Sequence, residues 1–235
     1  MSRAALSIIG RELRAAFLAP IGYIVAIVFL VMTGWLFMQP FFLGGRADLR
    51  QFFELLPLTL ALMVPAVTMR AFAEEFSTGS YEVLATLPVT HLDVLIGKFT
   101  GAVGFVVLVL APTVLYPIVI SRLGDLDWGP VVAGYIGAVL LIALYCSVGI
   151  LASALTRNQI VAFVIGLAIS VSLALIDDLL IYVPGRITQV VQHLGADYHF
   201  RNIARGVLDS RDLVYFLSGI AVFLTGTGFA LRRRP

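Results

Sequence analysis

An all-α, polytopic membrane protein with six transmembrane helices is what this sequence predicts, and three observations carry that reading. Sixty per cent of the 235 residues are hydrophobic and 13% are charged, with a mean hydropathy of +1.00, far from the mix of a water-soluble domain. The apolar residues gather into six long runs, at about 18–38, 52–69, 99–120, 131–153, 160–181 and 212–231. Each is close to the roughly 20 residues a helix needs to cross a ~30 Å hydrocarbon core. Charge avoids the middle of every run: Glu54 sits where the second begins, and Asp177 and Asp178 where the fifth ends. Lipid offers the backbone no water to bond, so runs of this kind must close their hydrogen bonds internally, as helices. The chain, 1–235, reads as one six-helix domain.

The first element, 1–17, precedes the spans. Leu6, Ile9, Leu13 and Phe17 fall on one helical face and Arg3, Ser7, Arg11 and Arg14 on the other. Such a segment lies in a membrane interface rather than across it, and it reads as an interfacial elbow helix, not a secretory signal. Pro20 is where the chain turns into the first span. Such an elbow fixes the angle of that span and offers a lateral surface to a partner. Pro57 and Pro65 predict a kink in the second span, Pro112 and Pro117 one in the third. Gly97/Gly101 and Gly134/Ala138 are small-residue pairs that let helices approach closely.

Between the second and third spans lies a polar island, 70–98. The second span is expected to continue as helix through Phe76 and to break at Thr78-Gly79. Ser80 is positioned to cap a short helix, Tyr81 to Leu87, which Pro88 stops. Thr90 then opens the third span, with Asp93 three residues on in a capping-box arrangement. Tyr81, Val83, Leu84 and Leu87 give this crosswise helix an apolar grip, and Glu74, Glu75 and Glu82 surround it with negative charge. An exposed apolar helix with acidic neighbours suits a socket on another protein.

Basic residues orient the chain. With both termini on one side, that side holds nine, Arg3, Arg11, Arg14, Arg70, Lys98, Arg157 and Arg232 to Arg234; the other holds seven. Three basic residues flank each terminal span, which places both termini and the island in the cytoplasm by the positive-inside rule. The net charge of +2 carries no implication of nucleic acid. The single cysteine, Cys146, lies inside the fourth span and forms no disulfide within the chain.

Catalytic and metal-binding patterns are missing from the sequence. A phosphate-cradling loop needs G-x-x-x-x-G-K-[ST], but Leu92 stands at the first glycine position of Gly97-Lys98, and Phe99 follows. Glu74-Glu75 resembles the acidic pair of intramembrane metalloproteases, yet Gly79 occupies the place of their arginine and His91 has no partner at helical spacing. No H-E-x-x-H or G-x-S-x-G occurs. His193 and His199, six apart, read as surface histidines rather than metal ligands. No catalytic residue, metal site or substrate-binding residue is assigned from the sequence.

The run Arg70-x-Phe-x-Glu-Glu-x-x-x-Gly-Ser-x-Glu-x-Leu-x-Thr-x-Pro88, closed by Val94-Leu-Ile-Gly-Lys98, resembles the cytoplasmic loop of type-2 ABC exporter permeases. Further stretches resemble the gliding-motility-type permease: Ala19-Pro-Ile-Gly-Tyr23, Val64-Pro-Ala-Val-Thr-Met-Arg70, Ser153-Ala-Leu-Thr-Arg-Asn-Gln-Ile-Val-Ala-Phe163, Tyr198-His-Phe-Arg201 and Val214-Tyr-Phe-Leu-Ser218. Arg157, where an acidic residue is expected, and Ser80, for the usual threonine, depart from the pattern. The resemblance implies the membrane half of an ATP-driven machine of the bacterial inner membrane. Two permeases, identical or related, would pair, and each would lay its coupling helix into a separate ABC ATPase that binds the ATP and Mg²⁺. It implies coupling roles for Glu74, Glu75, Phe76, Gly79, Ser80, Tyr81, Glu82, Leu84, Leu87 and Pro88. It also implies an auxiliary subunit with a periplasmic part. Other type-2 exporters, for copper-site maturation or drug export, are the nearest alternatives, with an intramembrane metalloprotease further off.

The outer loop, 182–211, is expected to hold two small interfacial helices, one over Ile187–Leu194 and one carrying the row Phe200, Ile203 and Val207. No ionisable residue marks a site at mid-membrane, which points to a lipidic, hydrophobic or peptide-like cargo, or to mechanical work on a periplasmic partner.

Overall fold

The computed structural model describes residues 3–44, 48–81, 90–179, 193–207 and 209–232. Helix α1, Arg3–Leu18, is followed at once by α2, Pro20–Gly44, whose first residue is a proline. That position suits proline, because the first N–H of a helix has no intrahelical acceptor to lose. The chain continues as α3, Arg50–Thr68, and α4, Ala73–Thr78; then α5, His91–Leu110, a 3₁₀ turn at Ala111–Val114, and α6, Leu115–Ile120. It finishes with α7, Trp128–Leu155; α8, Gln159–Leu179; α9, Ala196–Ala204; and α10, Ser210–Arg232. No strand occurs among the described residues. Among the described residues, six helical stretches are long and apolar enough to cross a membrane: α2, α3 with α4, α5 with α6, α7, α8 and α10.

Helix α7 is the axis of the bundle. It packs on α3, α5, α8, α9 and α10, and 72% of its most apolar window is buried, against 22% for α2 and α8 and 11% for α10. Small residues explain its place, since Gly134, Gly137, Ala138, Cys146, Gly149, Ala152 and Ser153 are all buried along it. The ring of Phe53 lies where a β-carbon on Gly134 would stand, and Gly101 likewise receives Glu12 of α1. A β-carbon on Gly149 would come within 1.9 Å of Thr68 Oγ1 and 2.9 Å of Thr68 Cβ. Alanine favours a helix over glycine by about 1 kcal/mol, so in open space Gly149→Ala would stabilise. Here it should destabilise instead, by about 1–3 kcal/mol, read as a lower unfolding temperature in detergent, because Thr68 is itself buried and held to Val64 O at 2.9 Å.

The prolines act differently from one another. Pro57 and Pro65 lie inside α3 without interrupting it, and the helix ends three residues after Pro65. The predicted continuous helix through Phe76 is therefore broken: Met69–Phe72 form turns before α4 begins. In the third span Pro112 does what was expected, converting the helix to a 3₁₀ turn at Ala111–Val114.

At the end away from the island, aromatic rings close the bundle. Phe37 stacks on Tyr116 with centroids 5.6 Å apart, Phe52 meets Tyr116 edge-on at 5.5 Å, and Phe53 meets Tyr135 at 5.5 Å. Of the two helices expected in the outer loop, the first lies almost wholly outside the described residues. The second is α9, with Phe200 and Ile203 buried against Gly137 of α7, while Val207 stands exposed beyond its end. His199 is not a surface histidine. It is buried, with Nδ1 2.6 Å from Asp212 Oδ1 and Nε2 3.1 Å from the His193 carbonyl, and Tyr215 stacks on its ring at 4.1 Å. The sequence hid this pairing because Asp212 lies 13 residues away, at the start of α10. Among the described residues no group of three or more His, Cys, Asp or Glu is placed to hold a metal.

Candidate functional site

The island end of the bundle is built from α1, α4, the start of α5 and the end of α7. Its backbone hinges on the turn at Met69–Phe72, and one side chain holds that turn. Ser153 Oγ, from α7, donates to Met69 O at 2.8 Å and accepts from Phe72 N and Ala73 N, both at 2.9 Å. The first amides of α4 thereby find the acceptor that a helix N-terminus lacks. Nearby, Arg70 Nε donates to Gln159 Oε1 at 3.2 Å and faces Glu74 at 3.8 Å. Two residues of the Ser153–Phe163 stretch thus grip the root of the island.

Beneath α4 sits a buried ion cluster. Lys98, with 2% of its side chain exposed, places Nζ 2.8 Å from Glu75 Oε1 and 3.2 Å from Glu12 Oε1. Arg11 lies 3.2 Å from Glu12 and 3.7 Å from Glu75, and the Lys98 ammonium stands 5.2 Å from the Phe72 ring centre. An ammonium this deep needs close anions, because burying an unpaired charge costs several kcal/mol. Two carboxylates from two different elements supply them, and so α1, α4 and α5 are joined at one atom.

The elbow helix therefore lies along α5. Ile8 is buried, Leu13 packs by Gly104, and Phe17 meets Phe105 edge-on at 5.0 Å. Glu12, standing between Arg11 and Arg14, is the sequence's signal of this contact: an acid on an otherwise basic helix asks for a cation. Lys98, in sequence, is no more than the close of a motif.

Of the coupling residues expected from resemblance, Glu75 joins the ion cluster and Glu74 faces Arg70. Phe76 and Tyr81 turn inward, Tyr81 meeting Phe76 at 4.9 Å and its hydroxyl lying 3.2 Å from His91 Nδ1. Gly79 closes α4 at φ 73°, a left-handed conformation that glycine adopts without strain. Ser80 was expected to cap the following helix; it is already helical, and its hydroxyl shares a 2.9 Å bond with Thr78. Ser77 to Ser80 form the exposed tip. Glu82, Leu84, Leu87 and Pro88 lie outside the described residues. Beyond them Thr90 and Asp93 form the expected capping box, Thr90 Oγ1 accepting from Asp93 N at 3.1 Å and Asp93 Oδ2 accepting from Thr90 N at 3.3 Å.

Comparison with known proteins agrees with the ABC permease resemblance of the 70–98 run. No curated protein matches the chain. A family profile described as "ABC-2 family transporter protein" matches residues 46–183, more than half of the chain, from just ahead of α3 through the fifth span. The chain thus belongs to the ABC-2 family of transporter proteins, as a membrane permease.

Proposed function

We propose that this chain is the permease of an ATP-driven exporter and that a separate ABC ATPase grips residues 76–88. The observation that carries the reading is the anchoring of the island's root: α4 is tied to α7 through Ser153 and to α5 and α1 through Lys98. A loop that only joined two spans would need neither tie. A push delivered at the exposed tip, by contrast, passes through α4 into two spans and the elbow without being lost in a loose hinge. Each ATPase would then move the spans as it closes on ATP and Mg²⁺, which this chain does not itself bind. The apolar faces of α2, α8 and α10, where Ile24, Trp35, Val164, Val214 and Phe229 stand exposed, are available to lipid and to a second permease, identical or related. The positive-inside rule supports cytoplasmic termini in a bacterial inner membrane. The motifs at 19–23, 64–70 and 153–163 support the narrower gliding-motility type, with its auxiliary periplasmic partner.

Affinity purification of the tagged chain from its native membranes tests this, beside a Glu82→Arg/Leu84→Asp variant. A P-loop ATPase should accompany the wild type and be lost from the variant. Absence of any ATPase from the wild type under several mild detergents would refute the reading.

A further inference from the structure

Above the ion cluster is an open wedge of about 570 Å³, well within the range of about 300–1,000 Å³ over which small-molecule sites fall. It exists because α1 packs along α5 while hardly touching α3, and α3 and α5 touch each other only sparingly. Its walls are Ala16, Val25, Ala66, Val67, Ala102 and Phe105, apolar and mostly small. The charged residues of its lining are Arg11, Glu12, Arg70, Glu74, Glu75 and Lys98. An apolar slot with a polar lip matches an amphipath entering from a membrane leaflet, tail first.

The charges say which headgroup. Three cations and three carboxylates share the lip, so it offers no net attraction to a singly anionic group. Both signs are nevertheless within reach, since the side chains of Arg11, Arg70 and Glu74 are 52%, 41% and 46% exposed. Glu75 Oε2 is buried and has no hydrogen-bond partner among the described residues, while its other oxygen holds Lys98. A buried carboxylate oxygen without a donor costs about 1–3 kcal/mol or more, which a ligand N–H removes. A primary ammonium has three such donors; a quaternary one has none. A phosphate beside it suits the guanidinium forks of Arg11 and Arg70.

We propose that this wedge is a binding site for a zwitterionic phospholipid bearing a primary ammonium, of the phosphatidylethanolamine type. Its phosphate lies by Arg11 and Arg70 and its ammonium by Glu75. Thr78 and Ser80 of the exposed tip also border the wedge, but the site involves no nucleotide and its lipid retention is read without an ATPase, so the two readings fail separately.

The test incubates the detergent-solubilised full chain with mixed micelles of phosphatidylethanolamine, phosphatidylglycerol and phosphatidylcholine, repurifies it, and quantifies retained lipid by mass spectrometry. Wild type should enrich phosphatidylethanolamine about fivefold over the bulk mixture, a preference of about 1 kcal/mol. Glu75→Gln, which removes the charge but keeps an acceptor for Lys98, should bring retention to bulk composition. Ala66→Trp, which fills the wedge from α3, should do the same, whereas Val214→Trp on the exposed face of α10 should not. Retention at bulk composition by the wild type overturns the site. So does equal enrichment of phosphatidylglycerol or phosphatidylcholine, or enrichment that survives both Glu75→Gln and Ala66→Trp.

Discussion

Lys98→Met should destabilise the protein by about 2–4 kcal/mol, the low side of what breaking a buried ion pair costs, because the carboxylates left behind are about a fifth exposed to solvent. Methionine fills the same volume, so the loss isolates charge from packing. Glu12 and Glu75 would then share one cation, Arg11, whose own side chain is half exposed and whose distance to Glu75 is already 3.7 Å. Thermal unfolding in detergent should show a fall of roughly 5–10 °C at this chain length. The triple variant Lys98→Met/Glu12→Gln/Glu75→Gln should recover most of it, since an uncharged cluster has no ion left unpaired. A triple variant as unstable as the single would show that the lysine's stem, not its charge, is what matters.

Ser153→Ala should cost about 3 kcal/mol, an unusual figure for the loss of one hydroxyl. The side chain is fully buried and serves three backbone groups, so its removal strands two buried amides and leaves a part-buried carbonyl without its donor. Ser153→Cys, with a weaker donor and acceptor of similar size, should fall between alanine and wild type. The turn at Met69–Phe72 should loosen with it, and hydrogen exchange at the Phe72 and Ala73 amides is the readout that a general loss of packing would not single out. Unchanged exchange there with a lowered unfolding temperature would place the effect elsewhere in α7.

Much of this architecture is legible in the sequence because lipid imposes a simple code. The six apolar runs correspond to six helical stretches, the Thr90/Asp93 pair forms a capping box, and Pro112 breaks its helix where a missing N–H requires it. What escapes is contact between residues distant in sequence. Ser153 and the turn at Met69–Phe72 are about 80 positions apart, and Lys98 and Glu12 are 86 apart. Neither pair leaves a periodic trace. The break at Met69 is hidden because nothing in Met69–Phe72 disfavours a helix; Ser153, from another span, stabilises the turn. His199 reads as a surface residue for the same reason, since its partner Asp212 looks, in sequence, like the polar rim of a span. That Tyr81 folds onto Phe76 is likewise invisible, because an aromatic side chain reads the same in sequence whichever way it points.

Site-specific photo-crosslinking tests the central claim most directly. A benzophenone amino acid replacing Leu84 should, on irradiation of native membranes, form an adduct with a P-loop ATPase, and the same group at Trp128 on the opposite end of the bundle should form none. No ATPase adduct at 84, or equal adducts at both positions, would contradict the assignment of the island as the place where the ATPase is held.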